Sequence, residues 1–303
     1  MKVVLAGGTG ALGRRIADDL ASRGDDVVLL SRNASAQSPH RIAQWDGASV
    51  GRWADELRGA VVINLAGELV DRRPSARNIA LLTKSRVEPT SALAAAAAQL
   101  DEPPTVWIQM STLAIYGNRG DEVLDEAARP GDGPPQMAGV AKAWEAAAAD
   151  IAAARKVVLR TGIVLDRGTP ALNRLSGLVR WRLGGRVGSG RQWVSWLHAD
   201  DFLGAVRFAV ADQSMSGVVH ATSPNPVRNA ELMAALRKVL HRSWAPPTPA
   251  LLAKVGAVFL RTDAALALFG RRAVPTVLEQ HGFEFQFSDV ELALVDLLRG
   301  GRA

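Results

Sequence analysis

Short apolar runs recur along the first half of the chain, and each is followed by a stretch with helical spacing. Lys2 to Ala6 is the first run, and an amphipathic segment to about Ser22 follows a glycine-rich turn. Asp26 to Ser31, Arg41 to Trp45, Val61 to Leu65, Thr105 to Met110 and Lys156 to Thr161 read as further strands. Helical stretches lie between them, from about Ser75 to Leu100 and over the alanine-rich Gln136 to Ala154. Alanine has the highest helix propensity, so these tracts are helix-favouring and not repeats. Strands apolar throughout, alternating with helices, predict parallel strands covered on both faces. The expected fold class is therefore α/β, a doubly wound parallel Rossmann sheet with a smaller C-terminal substrate lobe.

Past about Thr161 the pattern loosens. Glycines gather at Gly184, Gly185, Gly188 and Gly190, and prolines at Pro224, Pro226, Pro246, Pro247 and Pro249. Residues 1–162 are expected to form the nucleotide-binding domain, and 163–303 a lobe interleaved with the last sheet elements, with Val218 to Thr222 a strand. The apolar stretch Thr248 to Phe269 is broken by Lys254, Arg261 and Asp263. It is too interrupted to span a membrane and is expected to be a buried or amphipathic helix pair.

Composition narrows the function classes. With 303 residues the chain can bury a full core. It has no cysteine, which excludes disulfides, thiolate metal sites and cysteine nucleophiles. No His/Asp/Glu spacing suggests a metal. The N-terminus enters a strand directly, without a signal-like segment, so a cytoplasmic location is expected. The net charge is +6, but the arginines are scattered in runs of at most two, which argues for solvated surface and anion sites over nucleic acid. The expected state is a monomer or homodimer with a small-molecule substrate.

The glycine turn carries the first chemistry. Gly7, Gly10 and Gly13 are spaced G-x-x-G-x-x-G after a strand and before a helix. Gly7 allows the turn, Gly10 lets the backbone approach a pyrophosphate, and Gly13 permits close helix–strand packing. The helix start at Ala11, Leu12 and Gly13 offers free N–H groups and a positive dipole end to phosphate. The second strand then ends Ser31-Arg32 instead of in an acid. A carboxylate there would bind the ribose hydroxyls of NAD, whereas the Arg32 fork suits a 2′-phosphate, with Ser31 and Thr9 adding hydrogen bonds. The expected cofactor is NADP(H). Small residues within Asn64-Leu65-Ala66-Gly67-Glu68, at the carboxyl end of the fourth strand, let adenosine lie against the chain, Glu68 reading by default as surface charge, and Ser111 to Gly117 offers hydroxyls just past the fifth.

Taken in order, these motifs resemble the extended short-chain dehydrogenase/reductases, and within them the atypical, YfcH-like epimerase-family branch. The likeness runs through Trp45-Asp46, Ser85-Arg86, Trp144-Glu145, Arg160-Thr161-Gly162, Gly188 to Gln192, Trp196-Leu197-His198 and Pro224 to Val227. It implies cofactor contacts from Leu65, Ala66, Arg86 and Val164.

The resemblance also exposes a departure. Active members pair a Ser/Thr with Y-x-x-x-K, the tyrosine acting as acid/base. The single tyrosine here, Tyr116, has Gly120 four residues on, so that pair is absent. Thr112 falls on the Ser/Thr position with Ser111 beside it. If Lys142 is the basic residue, the tyrosine position is Ala138; if Glu145 sets the register, the pair is Met137 and Ala141. Tyr116, Thr112, a water or a substrate group must then donate the proton. Two readings follow: an NADP-dependent oxidoreductase or epimerase on a carbonyl or sugar-like substrate, or a non-catalytic NADP(H) sensor or regulatory protein. For substrate, a glycine-flanked Arg191 suits an anionic group and Trp193 a ring. His198 offers a base, but beside Asp200-Asp201 at the opening of the helix from Phe202 to Ala211 it reads first as a structural hydrogen-bonding or capping element.

Overall fold

In the computed structural model, which describes residues 1–33, 35, 37–259 and 261–300, the apolar runs form one parallel sheet. Its strands are β1 (Lys2–Ala6), β2 (Asp26–Ser31), β3 (Arg41–Gln44), β4 (Val61–Asn64), β5 (Val106–Thr112), β6 (Arg155–Thr161) and β7 (Gly217–Ala221). Their spatial order is β7-β6-β5-β4-β1-β2-β3, and all neighbours are parallel. Successive residues of β1 feed opposite cores: Val3 and Leu5 pack on one face, Val4 and Ala6 on the other. Helices α1 (Ala11–Ser22) and α5 (Ala199–Ala211) cover the first face through Ile16, Leu20, Phe202 and Val206. Helix α2 (Ala76–Ala97) covers the second through Ala92, Leu93 and Ala96, beside Trp53 and Trp107.

The chain runs from β1 outward to β3 on one side, then crosses to β4 on the other. That reversal opens a crevice at the carboxyl ends of β1 and β4, where open α/β sheets bind ligands. Between β6 and β7 the chain leaves the sheet for the short strand Ile163–Leu165, helix α4 (Pro170–Arg180), the strands Trp193–Val194 and Trp196–His198, and α5. Helices α3 (Val140–Ala147), α6 (Asn229–Val239), α7 (Ala250–Phe259), α8 (Ala265–Leu268), α9 (Thr276–Gln280) and α10 (Val290–Arg299) complete the chain. A third apolar cluster joins α4, α6 and α10 around Leu165 and Trp196. His198 caps α5, its Nδ1 accepting from the Asp200 N–H at 3.1 Å.

Two expectations are corrected. The alanine-rich stretch is not one helix: Pro135–Gly139 forms a π turn, and α3 stops at Ala147. The carbonyls of Ala148 and Ala149 accept from Lys156 Nζ, a cation closing a helix C-terminus. The chain must then turn back to enter β6, and that return overrides alanine's propensity. The stretch Thr248 to Phe269 does hold a helix pair, but α7 is largely exposed. Leu251, Leu252, Val255, Val258 and Phe259 face solvent, and Ala257 is its one buried residue. Among the described residues no helix is long and apolar enough to cross a membrane.

Candidate functional site

The glycine loop is built by backbone contact. Gly7 has φ +84°, and a Cβ there would lie 2.8 Å from the Leu65 carbonyl group. A Cβ on Gly13 would overlap the Gly7 carbonyl oxygen, so the first turn of α1 packs directly on the loop. Gly7 O accepts from the Gly10 N–H at 3.1 Å, closing the turn. Gly10 caps α1 without a side-chain hydrogen bond, and no acid occupies the first turn. Thr9, Gly10 and Ala11 are exposed, and Leu12 is half-buried. The helix therefore presents unspent N–H groups and its positive end at the crevice.

The neighbouring strand ends supply cations. Ser31 is buried and its hydroxyl closes a local turn with Asn33, donating at 3.0 Å and accepting at 3.1 Å. Arg32 is exposed, with Nη2 3.9 Å from Glu68 Oε1. Arg86, on α2, is 9% exposed and lies under Gly67, where a Cβ would fall 2.9 Å from its Cζ. It donates to the carbonyls of Leu82 and Glu68 and stacks over Trp144, 5.1 Å from the ring centre. Burial lowers its pKa to about 10, against the pull of Glu68. Leu65 continues β4, donating to Ala6 O at 2.8 Å, and Ala66 N–H is held by Asn64 Oδ1 at 3.1 Å. Asn64 in turn donates to Thr90 Oγ1 at 2.8 Å and Gln109 Oε1 at 3.0 Å, a buried polar knot fixing the crevice floor.

Ser111 and Thr112 part ways at the end of β5. Thr112 is half-exposed, and its Oγ1 accepts from the Ala114 N–H at 3.1 Å, its own proton having no acceptor among the described residues. Ser111 is buried and donates to Glu145 Oε1 at 2.5 Å. Glu145 takes two bonds from Arg160, at 2.9 and 2.8 Å. Burial opposes the Arg160 charge, but its hydrogen bonds to Glu145 prevail and raise its pKa.

Tyr116 does not reach the crevice. It is 0% exposed, packed among Leu113, Ile115, Leu124 and Ala141. Its hydroxyl accepts from Arg160 Nη1 at 2.7 Å and lies 2.6 Å from His220 Nε2. His220 Nδ1 faces the Val274 carbonyl at 2.9 Å, which requires the proton on Nδ1. The tyrosine therefore donates to Nε2. Burial raises the Tyr116 pKa and lowers that of His220 to about 4. Reading Tyr116 as the proton donor is thus corrected: its hydroxyl is spent and sealed. Met137 and Ala138, where the family tyrosine would stand, are buried and apolar. Lys142 is on the outer part of α3, 41% exposed and 3.8 Å from Asp132.

Residues beyond β6 carry the remaining candidates. Val164 is 8% exposed and pairs with Leu197 in a short parallel ladder. Arg191 is exposed, its carbonyl accepting from Arg228. Trp193 is already occupied. Its Nε1 donates to Asp121 at 2.9 Å, and the guanidiniums of Arg228 and Arg272 lie 3.9 and 4.6 Å from its ring centre. Arg228, Arg191 and Trp193 lower the Asp121 pKa, the Arg228 hydrogen bond most. Behind them Arg271 donates Nε to Gly117 O at 3.1 Å, while its buried Nη2 finds no acceptor among the described residues. Burial lowers its pKa to about 10.

Sequence reasoning placed Asn64 and Glu68 in the segment at the ligand edge of the fourth strand, leaving Glu68 as surface charge by default, and gave no site role to Glu145, Arg160, His220 or Arg271. Asn64 carries a usable signal, a polar residue ending an otherwise apolar strand. Arg271, one of a pair of adjacent arginines, carries none.

With this geometry in place, comparison with known proteins is specific. Residues 3–164 match the family model described as NAD dependent epimerase/dehydratase family, and residues 248–297 match a domain of unknown function. The chain is 34% identical to an "Epimerase family protein" of Mycobacterium leprae, over 96% of this chain and 94% of the relative. Human epimerase family protein SDR39U1 (isoform 2), crystallised with NADPH, superposes with a TM-score of 0.87 at 30% identity, over 98% of this chain and 99% of that one. A nucleoside-diphosphate sugar epimerase from Corynebacterium glutamicum gives 0.77 at 31% identity, over 98% of this chain and 58% of that one.

Proposed function

The chain belongs to the NAD dependent epimerase/dehydratase family, and on that premise we propose that it is an NADP(H)-dependent oxidoreductase or epimerase. Its substrate is a carbonyl or sugar-like compound carrying an anionic group. The carrying observation is the uncapped start of α1, aimed at the β1/β4 crevice beside two arginines, one buried without a carboxylate hydrogen bond. The NADPH complex of human SDR39U1 supports the same cofactor here.

The residues fit that group. The N–H groups of Ala11, Leu12 and Gly13 hold the pyrophosphate, with Gly10 leaving room for its approach. Arg32 takes the 2′-phosphate, with Ser31 and Thr9 beside it, while Leu65, Ala66, Gly67 and Val164 line the cofactor and Arg86 supports the loop beneath. The bound cofactor supplies hydride exchange at its nicotinamide. Thr112, whose hydroxyl proton has no acceptor among the described residues, hydrogen-bonds the substrate oxygen. Ser111 is a positioning residue, locked through Glu145 and Arg160, and Lys142 stays outside the proton path. Arg271, whose buried Nη2 has no acceptor among the described residues, is assigned the anionic group of the substrate, with Arg228 and Arg272 stacked on Trp193 beside it; from sequence the anion is expected at Arg191 and a stacked ring at Trp193. The protein works in the cytoplasm as a monomer or homodimer on a small molecule.

Titration with NADPH and NADH tests the cofactor assignment: Arg32→Ala should weaken NADPH at least tenfold more than NADH. A panel of carbonyl compounds and nucleotide sugars tests turnover, which Thr112→Val should abolish at unchanged NADPH affinity. Equal losses of both cofactors, or full turnover in Thr112→Val, would defeat these assignments. The sealed Tyr116 and apolar Met137 and Ala138 favour a second reading, an NADP(H) sensor without turnover. That reading requires tight NADPH binding, no product across the panel, and a cofactor-dependent change in association state.

A further inference from the structure

Arg32 leaves the end of β2, and Glu68 stands in the loop after β4. These are the two strands that flank β1. The two side chains approach each other across the carboxyl end of β1, 3.9 Å apart. They are not equally held. The Arg32 side chain is 75% exposed. Glu68 is pinned at three points: Oε2 accepts from Arg72 Nη2 at 2.9 Å, its N–H donates to Ser85 Oγ at 3.1 Å, and its carbonyl accepts from Arg86 Nη2 at 2.9 Å. Gly67, just before it, packs on the Arg86 side chain too closely to admit a Cβ. The Glu68 backbone is held at two points and its carboxylate by an ion pair with the half-exposed Arg72, so it is the more tethered member of the pair and the Arg32 guanidinium the more movable one.

A tethered carboxylate at this place has opposite effects on the two cofactors. A 2′-phosphate bringing nearly two negative charges to Arg32 meets Glu68 within a few ångströms. Two unit charges about 4 Å apart in water interact by about 1 kcal/mol, or roughly fivefold in affinity. An unphosphorylated ribose brings a hydroxyl instead, and a carboxylate is the partner such hydroxyls take in NAD-binding sites. That bond is charge-assisted.

We propose that Glu68 is a specificity-determining residue that works against Arg32, lowering the preference for NADP(H) and giving NAD(H) a foothold. The inference rests on Arg32 as the 2′-phosphate anchor. It makes the chain a dual-cofactor protein whose selectivity is the difference between one arginine and one glutamate.

The test is the ratio of NADPH to NADH dissociation constants for the unmodified chain, Glu68→Gln, Glu68→Asp and Arg32→Ala, at low salt and at about 0.5 M salt. Glu68→Gln should tighten NADPH about fivefold and weaken NADH severalfold. The NADPH gain should shrink at high salt, because exposed charges are screened. Glu68→Asp, which keeps the charge, should move the ratio less. A ratio unmoved by Glu68→Gln while Arg32→Ala still discriminates overturns the role of Glu68 alone. Equal weakening of both cofactors in Glu68→Gln, with a lowered melting temperature, assigns Glu68 to loop structure and overturns it as well. A ratio unmoved by Arg32→Ala overturns the anchor reading itself.

Discussion

Replacing Tyr116 by phenylalanine removes one oxygen from a buried polar chain and little else. The ring stays edge-on to His220, 5.4 Å between centres at 73°, and the Arg160 guanidinium stays 5.1 Å over its face. What is lost is the acceptor for Arg160 Nη1 and the donor to His220 Nε2. Each buried group left without a partner costs about 1–3 kcal/mol. Arg160 keeps both bonds to Glu145, so the Arg160 share lies at the low end. Together the loss should be about 2–4 kcal/mol, or a fall in melting temperature of roughly 3–6 °C for a chain of this size. Urea unfolding followed by tryptophan fluorescence gives the free energy directly, since the chain has 8 tryptophans. NADPH affinity should stay within about twofold, because the hydroxyl is sealed from the crevice. An unchanged urea midpoint together with lost turnover would refute the reasoning, because that is the signature of an acid/base and not of a structural hydroxyl.

The same network predicts a pH dependence. His220 is held neutral, its pKa lowered by burial to about 4 from 6.5, so the unfolded chain binds its proton first as pH falls. Its contribution is complete above about pH 6.5 and is lost on descending toward pH 4, by about 3 kcal/mol. Burial raises the Glu126 and Asp201 carboxyls, which run the other way. The measurement is therefore the difference in urea midpoint between the unmodified chain and His220→Gln across pH 4–7, and a flat difference would count against a neutral buried imidazole. Gly13→Ala should cost at least about 2 kcal/mol and most NADPH affinity, because its Cβ meets backbone and not a movable side chain; retained binding by calorimetry would contradict the loop geometry.

The sheet was legible in the sequence because its strands are buried on both faces, so apolar runs such as Val3–Ala6 and Val27–Leu30 have no competing explanation. The glycine loop was legible for a related reason, since Gly7 and Gly13 tolerate no Cβ against neighbouring backbone. Features set by long-range partners were not. The alanine tract reads as helix to Ala154, but Lys156 and the entry into β6 end it early. Apolar spacing at α7 suggests burial, yet nothing in spacing says which face finds a neighbour. Trp193 reads as a free stacking surface until Arg228 and Arg272, distant in sequence, cover it. Tyr116 reads as a free hydroxyl until His220 and Arg160 fold onto it.

The position of β7 has a consequence for how the protein is made. β7 pairs only with β6, yet the chain reaches it after α4, α5 and the short strands between them have been laid down. Until then β6 is an open edge, with an unsatisfied row of amides and Val157 and Leu159 uncovered by the final strand. Such an edge is a template for pairing with another chain. His220 arrives on the same late strand, so the polar chain through Tyr116 closes in the step that seals the edge. A nascent or truncated chain ending near residue 162 would hold the nucleotide loop and an adhesive margin together. Its solubility therefore depends on β7, a strand to which no cofactor contact is assigned.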